Sequence, residues 1–213
     1  MHVQVPNVIG RPMSRLPLNV SLTPRSVHLC IDMQRMFSSD GIWPTPWMVK
    51  VLPVVEEIAG RFPERTVFTR FIPPVRAGDM PGMWQRYYTR WIRATRERIN
   101  PELLELLPSL SGFAPPAAVI DKSRYSAFAG STLLRHLQDR KADALIITGS
   151  ETDVCVLATV LAAVDVGFPV IVVEDAICSS SNTGHDALMT LYHQRYSEQI
   201  ETASAETILS CWQ

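Results

Sequence analysis

Six short apolar runs punctuate the chain, at residues 27–31, 66–72, 117–120, 144–148, 170–173 and 200–203. Each is bounded by polar or turn-forming residues, and the longer segments between them read as helices. Several runs are apolar at consecutive positions instead of alternating, which suits strands buried on both faces of a parallel sheet. The pattern predicts an α/β domain, doubly wound, with a mostly parallel six-stranded sheet and helices on both faces. The clearest helix begins at Thr152 or Asp153, either of which can cap it, and runs through Val164 to a stop at Gly167, with Pro169 just beyond. It is apolar nearly all round and is expected to be buried. Weaker helical patterns cover 48–60, 82–98, 132–140 and 187–196.

The length of 213 residues suits one domain at 26–213, preceded by an N-terminal arm at 1–25 suited to contacts between subunits. The arm is polar and proline-bearing, without the charged-then-apolar pattern of a secretory signal. No apolar run approaches the ~20 residues that a membrane helix needs. The expectation is a soluble, cytoplasmic protein with no membrane partner. A net charge of -1 and scattered arginines, loosely gathered only over 86–98, give no basic face for nucleic acid. The four cysteines, Cys30, Cys155, Cys178 and Cys211, form no C-x-x-C pair, which argues against a zinc site or a disulfide framework.

Ligands of open parallel sheets bind beyond the carboxyl ends of the strands, so polar residues directly after buried runs are the candidates for chemistry. Asp32 follows the first run, Lys122 the third, and Cys155 lies just past the fourth at the start of the buried helix. A carboxylate, an ammonium and a thiol on one rim can set one another's protonation. The helix N-terminus and the cation are expected to lower the thiol pKa from about 8.5, with Asp32 moving the proton and Lys122 holding Asp32 ionised. Taken singly, each residue also has a plain structural reading: Asp32 as a turn or cap residue, Lys122 as a surface lysine, Cys155 as an inert packed thiol.

Together these residues resemble a known family. The segment 147–159, Ile-Thr-Gly-Ser-Glu-Thr-Asp-Val-Cys-Val-Leu-Ala-Thr, resembles the nucleophile motif of the isochorismatase-like cysteine hydrolases, which include nicotinamidases, N-carbamoylsarcosine amidases and ureidoacrylate or biuret hydrolases. Leu-Cys-Ile-Asp-Met-Gln at 29–34, with Phe37, resembles their aspartate motif, and Lys-Ser-Arg-Tyr-Ser-Ala-Phe at 122–128 their lysine motif. The resemblance covers about 26–203. It implies a catalytic triad of Asp32, Lys122 and Cys155, a cis peptide between Ser150 and Glu151, and an oxyanion hole made by the backbone N–H groups of Glu151 and Cys155. It also implies hydrolysis of a carbon–nitrogen bond in a small amide, ureido or carbamoyl compound through a Cys155 thioester, without a cofactor, in a homodimer or homotetramer.

The metal-binding branch of that family carries an Asp-x-His pair after its second strand, whereas Thr-Arg-Phe-Ile-Pro-Pro stands here at 69–74. The five histidines, His2, His28, His136, His185 and His193, show no ligand-like clustering, and His185 is expected to begin a helix packed outside the site. No metal is expected. Gln34, Phe37 and Phe128 fall within the matched motifs and are candidate substrate contacts. Trp43, Trp84, Tyr88 and Arg70 are further candidates for holding a planar or anionic small molecule, with packing onto the sheet or between subunits as the alternative. Two other functions stay open: cleavage of a vinyl ether, as in isochorismatase proper, which uses the aspartate and lysine without a cysteine nucleophile, and a binding protein that has lost turnover.

Overall fold

The computed structural model describes residues 18–213. Six strands, β1 (Val27–Ile31), β2 (Thr66–Phe71), β3 (Ala118–Lys122), β4 (Leu145–Ser150), β5 (Val170–Cys178) and β6 (Ile200–Ala203), form one sheet in the order β3-β2-β1-β4-β5-β6. Every pairing is parallel, so the sheet is wholly and not merely mostly so. The winding reverses between β1 and β4, and this is where the carboxyl ends of adjacent strands diverge into a crevice.

Alternate residues of the strands feed two separate cores. Cys30, Phe68, Ile146, Ile171 and Val173 join α1 (Met48–Arg61) and α7 (Ala205–Cys211) on one face. Leu29, Ile31, Val67, Leu145, Ile147 and Val172 meet α4 (Leu133–Asp139), α5 (Leu157–Asp165) and α6 (Asn182–Gln194) on the other. Burial on both faces is why the runs read as continuously apolar.

Three predicted elements differ, each for a local reason. The helix expected over 82–98 stops early: α2 is Met83–Arg90, and the backbone beyond it turns to donate from Arg96 N–H to the Pro74 carbonyl at 2.9 Å and from Glu97 N–H to the Val75 carbonyl at 3.3 Å. β5 runs past the apolar stretch because its acidic pair is satisfied, with Glu174 accepting from His193 at 2.8 Å and Asp175 from the Ala205 N–H at 2.9 Å. The long buried helix starts as a single wide turn, Thr152–Val156, capped from Glu151 instead of Thr152 or Asp153, before α5 proper. The short helix α3 (Pro108–Ser111) and α7 had no sequence counterpart.

Of the expected arm, residues 1–17 lie outside the described residues. Residues 18–25 are tied to their own chain: Glu201 accepts the Asn19 and Val20 N–H groups at 3.1 and 3.0 Å, and Asp143 accepts the Thr23 hydroxyl at 2.6 Å. No helix among the described residues is long and apolar enough to cross a membrane.

The first strand carries one buried polar side chain towards its middle. His28 lies 3.1 Å from the Thr66 hydroxyl and 2.8 Å from the Thr148 hydroxyl, a bridge across β2, β1 and β4. Burial pushes its pKa down to about 3. A depressed folded-state value contributes stability above the unfolded pKa of ~6.5 that is lost as pH falls towards the folded value, because only the unfolded chain takes up the proton. Denaturant unfolding at pH 7 and pH 5.5 should therefore show a His28-dependent loss of about 1 kcal/mol, absent from the same comparison made on His28→Gln.

Candidate active site

Asp32 follows the last residue of β1 with φ at 50°, a left-handed turn that lifts its carboxylate over the ends of β2 and β3. Gly149 makes that approach possible. At φ 109° it packs so closely on β1 that a Cβ there would lie 2.1 Å from the Ile31 carbonyl oxygen. The Thr69 hydroxyl clasps Asp32 from both sides, donating to Oδ1 at 2.6 Å and accepting the Asp32 N–H at 3.1 Å.

Lys122, the last residue of β3, brings its ammonium to 2.6 Å from Asp32 Oδ2, and both side chains are 0% exposed. Its remaining protons are also used: Nζ donates to the Arg124 carbonyl at 3.0 Å and lies 3.5 Å from Cys155 Sγ. The Phe71 ring sits 4.9 Å beneath the ammonium. Burial by itself pulls the Lys122 pKa down, but the neighbouring Asp32 and Cys155 side chains outweigh it and leave it raised. Lys122 thus stays an ammonium at neutral pH.

Cys155 sits in the wide turn that opens the buried helix, after a cis peptide between Ser150 and Glu151. The turn is strapped to the segment that follows β5. Asp153 accepts the Ser179 hydroxyl at 2.6 Å, and Glu151 accepts the Ser180 N–H at 2.9 Å. His185, on α6, does not line the cavity but braces the turn from behind: its Nδ1 lies 2.9 Å from the Thr152 hydroxyl and its ring packs edge-on to Trp47. The thiol pKa also departs from expectation. Burial pushes it up, the Lys122 charge only partly opposes this, and Asp32 adds to the rise. Desolvation of a thiolate costs more here than one already-paired ammonium returns, so Cys155 rests as a neutral thiol.

In front of Sγ lies a cavity of about 140 Å³ lined by Phe37, Trp43, Phe71, Tyr87, Tyr125, Glu151, Val154 and Cys155. Phe37 and Trp43 stand where a substrate contact would need them, stacked with centroids 6.0 Å apart. The other candidates do not line it. The Gln34 amide is consumed by backbone, donating to the Leu104 carbonyl at 2.7 Å and accepting the Phe71 N–H at 2.6 Å. Tyr88 is wholly buried in the core behind the wall, with Trp84 stacked over it at 6.1 Å. Phe128 packs on the other core against Phe168 at 6.4 Å. Arg70 is held by Asp121 at 2.8 Å and Glu105 at 2.7 Å, so it is not free to receive an anion.

The wall residues missed from sequence have simple signals in retrospect. Phe71 adjoins Arg70 on β2 and so points the other way, into the crevice. Tyr87 and Tyr88 are consecutive on α2, about 100° apart around the axis, so only one can face the cavity. Tyr125 follows Lys122 in the loop of the lysine motif.

Among the described residues no group of three His, Cys, Asp or Glu side chains is arranged to hold a metal ion. The stretch that replaces the Asp-x-His pair offers the Thr69 hydroxyl, already bound to Asp32, and the ion-paired Arg70. This donor set does not fit such an ion.

Removing one member of the enclosed pair strands the other charge, at a cost of about 3–5 kcal/mol. Lys122→Met should lower Tm by roughly 10 °C at 2–4 °C per kcal/mol for a chain of this size. Asp32→Asn combined with Lys122→Met should cost less than the sum of the single changes, as read by thermal melts of all three variants.

Comparison with known proteins agrees with this architecture. Residues 26–204 match the isochorismatase domain. A Bacillus subtilis (strain 168) protein named as an uncharacterized isochorismatase family protein, PncA, is 39% identical over 71 residues, 33% of this chain and 39% of its own length. The chain thus spans less than half the length of the curated relatives it matches, reaching 47% in the secreted isochorismatase effector Isc1 of Phytophthora sojae (strain P6497), 37% identical over 103 residues and 47% of this chain. Among solved structures, a cysteine hydrolase from Pseudomonas syringae pv. phaseolicola 1448A superposes with a TM-score of 0.72 at 21% identity, covering 96% of this chain and 100% of the other, a likeness of fold. With its parallel sheet wound 3-2-1-4-5-6 and the domain match running from β1 through β6, this chain belongs to the isochorismatase family.

Proposed function

We propose that this protein is a cysteine hydrolase that cleaves a carbon–nitrogen bond in a small amide, ureido or carbamoyl compound. The observation that carries the reading is an ammonium that touches both a carboxylate and a thiol, the thiol lining an aromatic cavity, with Nζ 2.6 Å from Asp32 Oδ2 and 3.5 Å from Cys155 Sγ. Such a cavity admits a small metabolite and not a polymer.

In the proposed cycle Asp32 takes the Cys155 proton as sulfur attacks the substrate carbonyl carbon. Because the thiol rests neutral, transfer and attack are coupled, and a standing thiolate is not required. Backbone N–H groups of Glu151 and Cys155 serve as donors to the developing oxyanion, each worth about a hundredfold or more. The carbon–nitrogen bond breaks as Asp32 returns the proton to the leaving nitrogen, leaving a thioester. Water, deprotonated by Asp32, attacks the thioester, and the acid departs as the thiol is re-formed. Lys122 stays paired with Asp32 between steps and keeps the sulfur within reach.

Ammonia release from a panel of small amides, carbamoyl amino acids, ureido acids, biuret and nicotinamide, in chelator, tests the reading. Turnover of at least one member is expected, with Cys155→Ala reducing it to background and Asp32→Asn lowering it by about 10²–10⁴-fold. Activity that survives in Cys155→Ala would move the protein to the vinyl-ether chemistry that dispenses with a nucleophilic thiol. Silence across the panel and across vinyl ethers would leave a binding protein.

The raised thiol pKa predicts slow alkylation at rest. Iodoacetamide labelling of Cys155, followed by peptide mass, should climb about tenfold per pH unit from pH 7 to 9 without a plateau. A plateau reached below pH 8 would show instead a preformed thiolate.

A further inference from the structure

The cavity beside Cys155 carries one charged side chain that the proposed cycle does not use. Glu151 contributes to its lining, and Oε2 of its carboxylate accepts both the N–H and the hydroxyl of Ser180. No protein donor reaches Oε1 among the described residues. The other charges at this end are engaged elsewhere. Lys122 is locked onto Asp32 at 2.6 Å, and Arg70 onto Asp121 and Glu105. The Arg124 guanidinium lies 5.7 Å over the Trp84 ring and donates to the Ser123 carbonyl, while Arg90 lies 5.8 Å over Trp91. Five of the remaining wall residues are aromatic: Phe37, Trp43, Phe71, Tyr87 and Tyr125. The carboxylate acts on that wall, since the Tyr125 hydroxyl is pushed up by burial first, then by Cys155 and Glu151.

We propose that Glu151 is a specificity-determining residue: with the aromatic walls it selects small amides whose end away from the scissile bond is a cation or an N–H donor, and rejects those ending in a carboxylate. The proposal rests on the reading of Cys155 as nucleophile, because the thiol fixes which end of the substrate reacts. Ring faces attract a cation and repel an anion, so the walls and the carboxylate act in the same sense. A substrate carboxylate entering here leaves water, meets no guanidinium or ammonium among the described residues that line the cavity, and faces a like charge. At separations of several ångströms and an effective dielectric near 20, that repulsion alone corresponds to on the order of 10- to 100-fold in affinity.

The test uses three matched probes, para-(aminomethyl)benzamide, benzamide and para-carboxybenzamide, titrated calorimetrically into Cys155→Ala, which binds without turnover. The aminomethyl probe should bind at least about tenfold more tightly than the carboxy probe. Adding Glu151→Gln, which keeps an acceptor for Ser180, should shrink that ratio about tenfold. A ratio indifferent to Glu151→Gln, tightest binding of the carboxy probe, or no binding of any probe overturns the proposal. Should Glu151→Gln fail to fold, salt decides in its place: rising ionic strength should weaken the aminomethyl probe, strengthen the carboxy probe and leave benzamide alone. A response common to all three overturns it equally. Turnover by the intact chain separates the two readings, since selectivity without Cys155-dependent hydrolysis sinks the hydrolase and leaves the selectivity standing.

Discussion

Two opposite charges 2.6 Å apart and wholly enclosed, Asp32 and Lys122, are the constraint around which this end of the molecule is organised. Withdrawing each ion from water costs several kcal/mol, which the partners around the pair help to offset. Those partners come from separate elements. Thr69 on β2 holds the carboxylate, the Arg124 carbonyl after β3 takes one ammonium proton, and Phe71 presents its ring to the same cation. Only a sheet that sets β1, β2 and β3 side by side with parallel ends brings them together. The bare backbone of Gly149 then lets β4 close from the other side and deliver the turn that carries the thiol.

The same enclosure decides the state of the nucleophile. A cation beside a thiol lowers its pKa in water, and the sequence invites that expectation. Here the cation is already neutralised by Asp32 and the sulfur is buried, so desolvation prevails and the thiol keeps its proton. Asp32 therefore stands in the structure both as the partner that holds Lys122 in place and as the acceptor nearest the thiol. Substitution of Asp32 or Lys122 disturbs charge balance as well as chemistry, which is why stability and turnover need to be read together for those variants.

The cavity wall follows from how the rim is filled. Aromatic rings occupy most of it because β2, α2 and the loop after β3 each direct one ring inward and the loop after β1 directs two, while other aromatics of α2 support them from behind. Trp84 and Tyr88 are of this second kind, as Tyr87 and Phe71 are of the first. Arg70, which looks from sequence like an anion anchor, is spent on Asp121 and Glu105, and the charged residue left in the cavity lining is Glu151.

By itself the sequence determined the strands, the fold class and the three motif residues. Strands buried on both faces must be apolar at successive positions, and in a parallel sheet the polar residue that ends each one lies on the ligand-binding rim. Those features depend on local periodicity and on order along the chain. Tertiary structure alone decided what depends on contacts between distant segments. The helix predicted over 82–98 ends at Arg90 because carbonyls at Pro74 and Val75 capture the backbone beyond it. Gln34 is drawn from the pocket by the backbone of β2 and the Leu104 carbonyl. Which tyrosine of an adjacent pair faces the cavity, which arginine is already paired and which way burial moves a thiol are all settled by neighbours that no local spacing records.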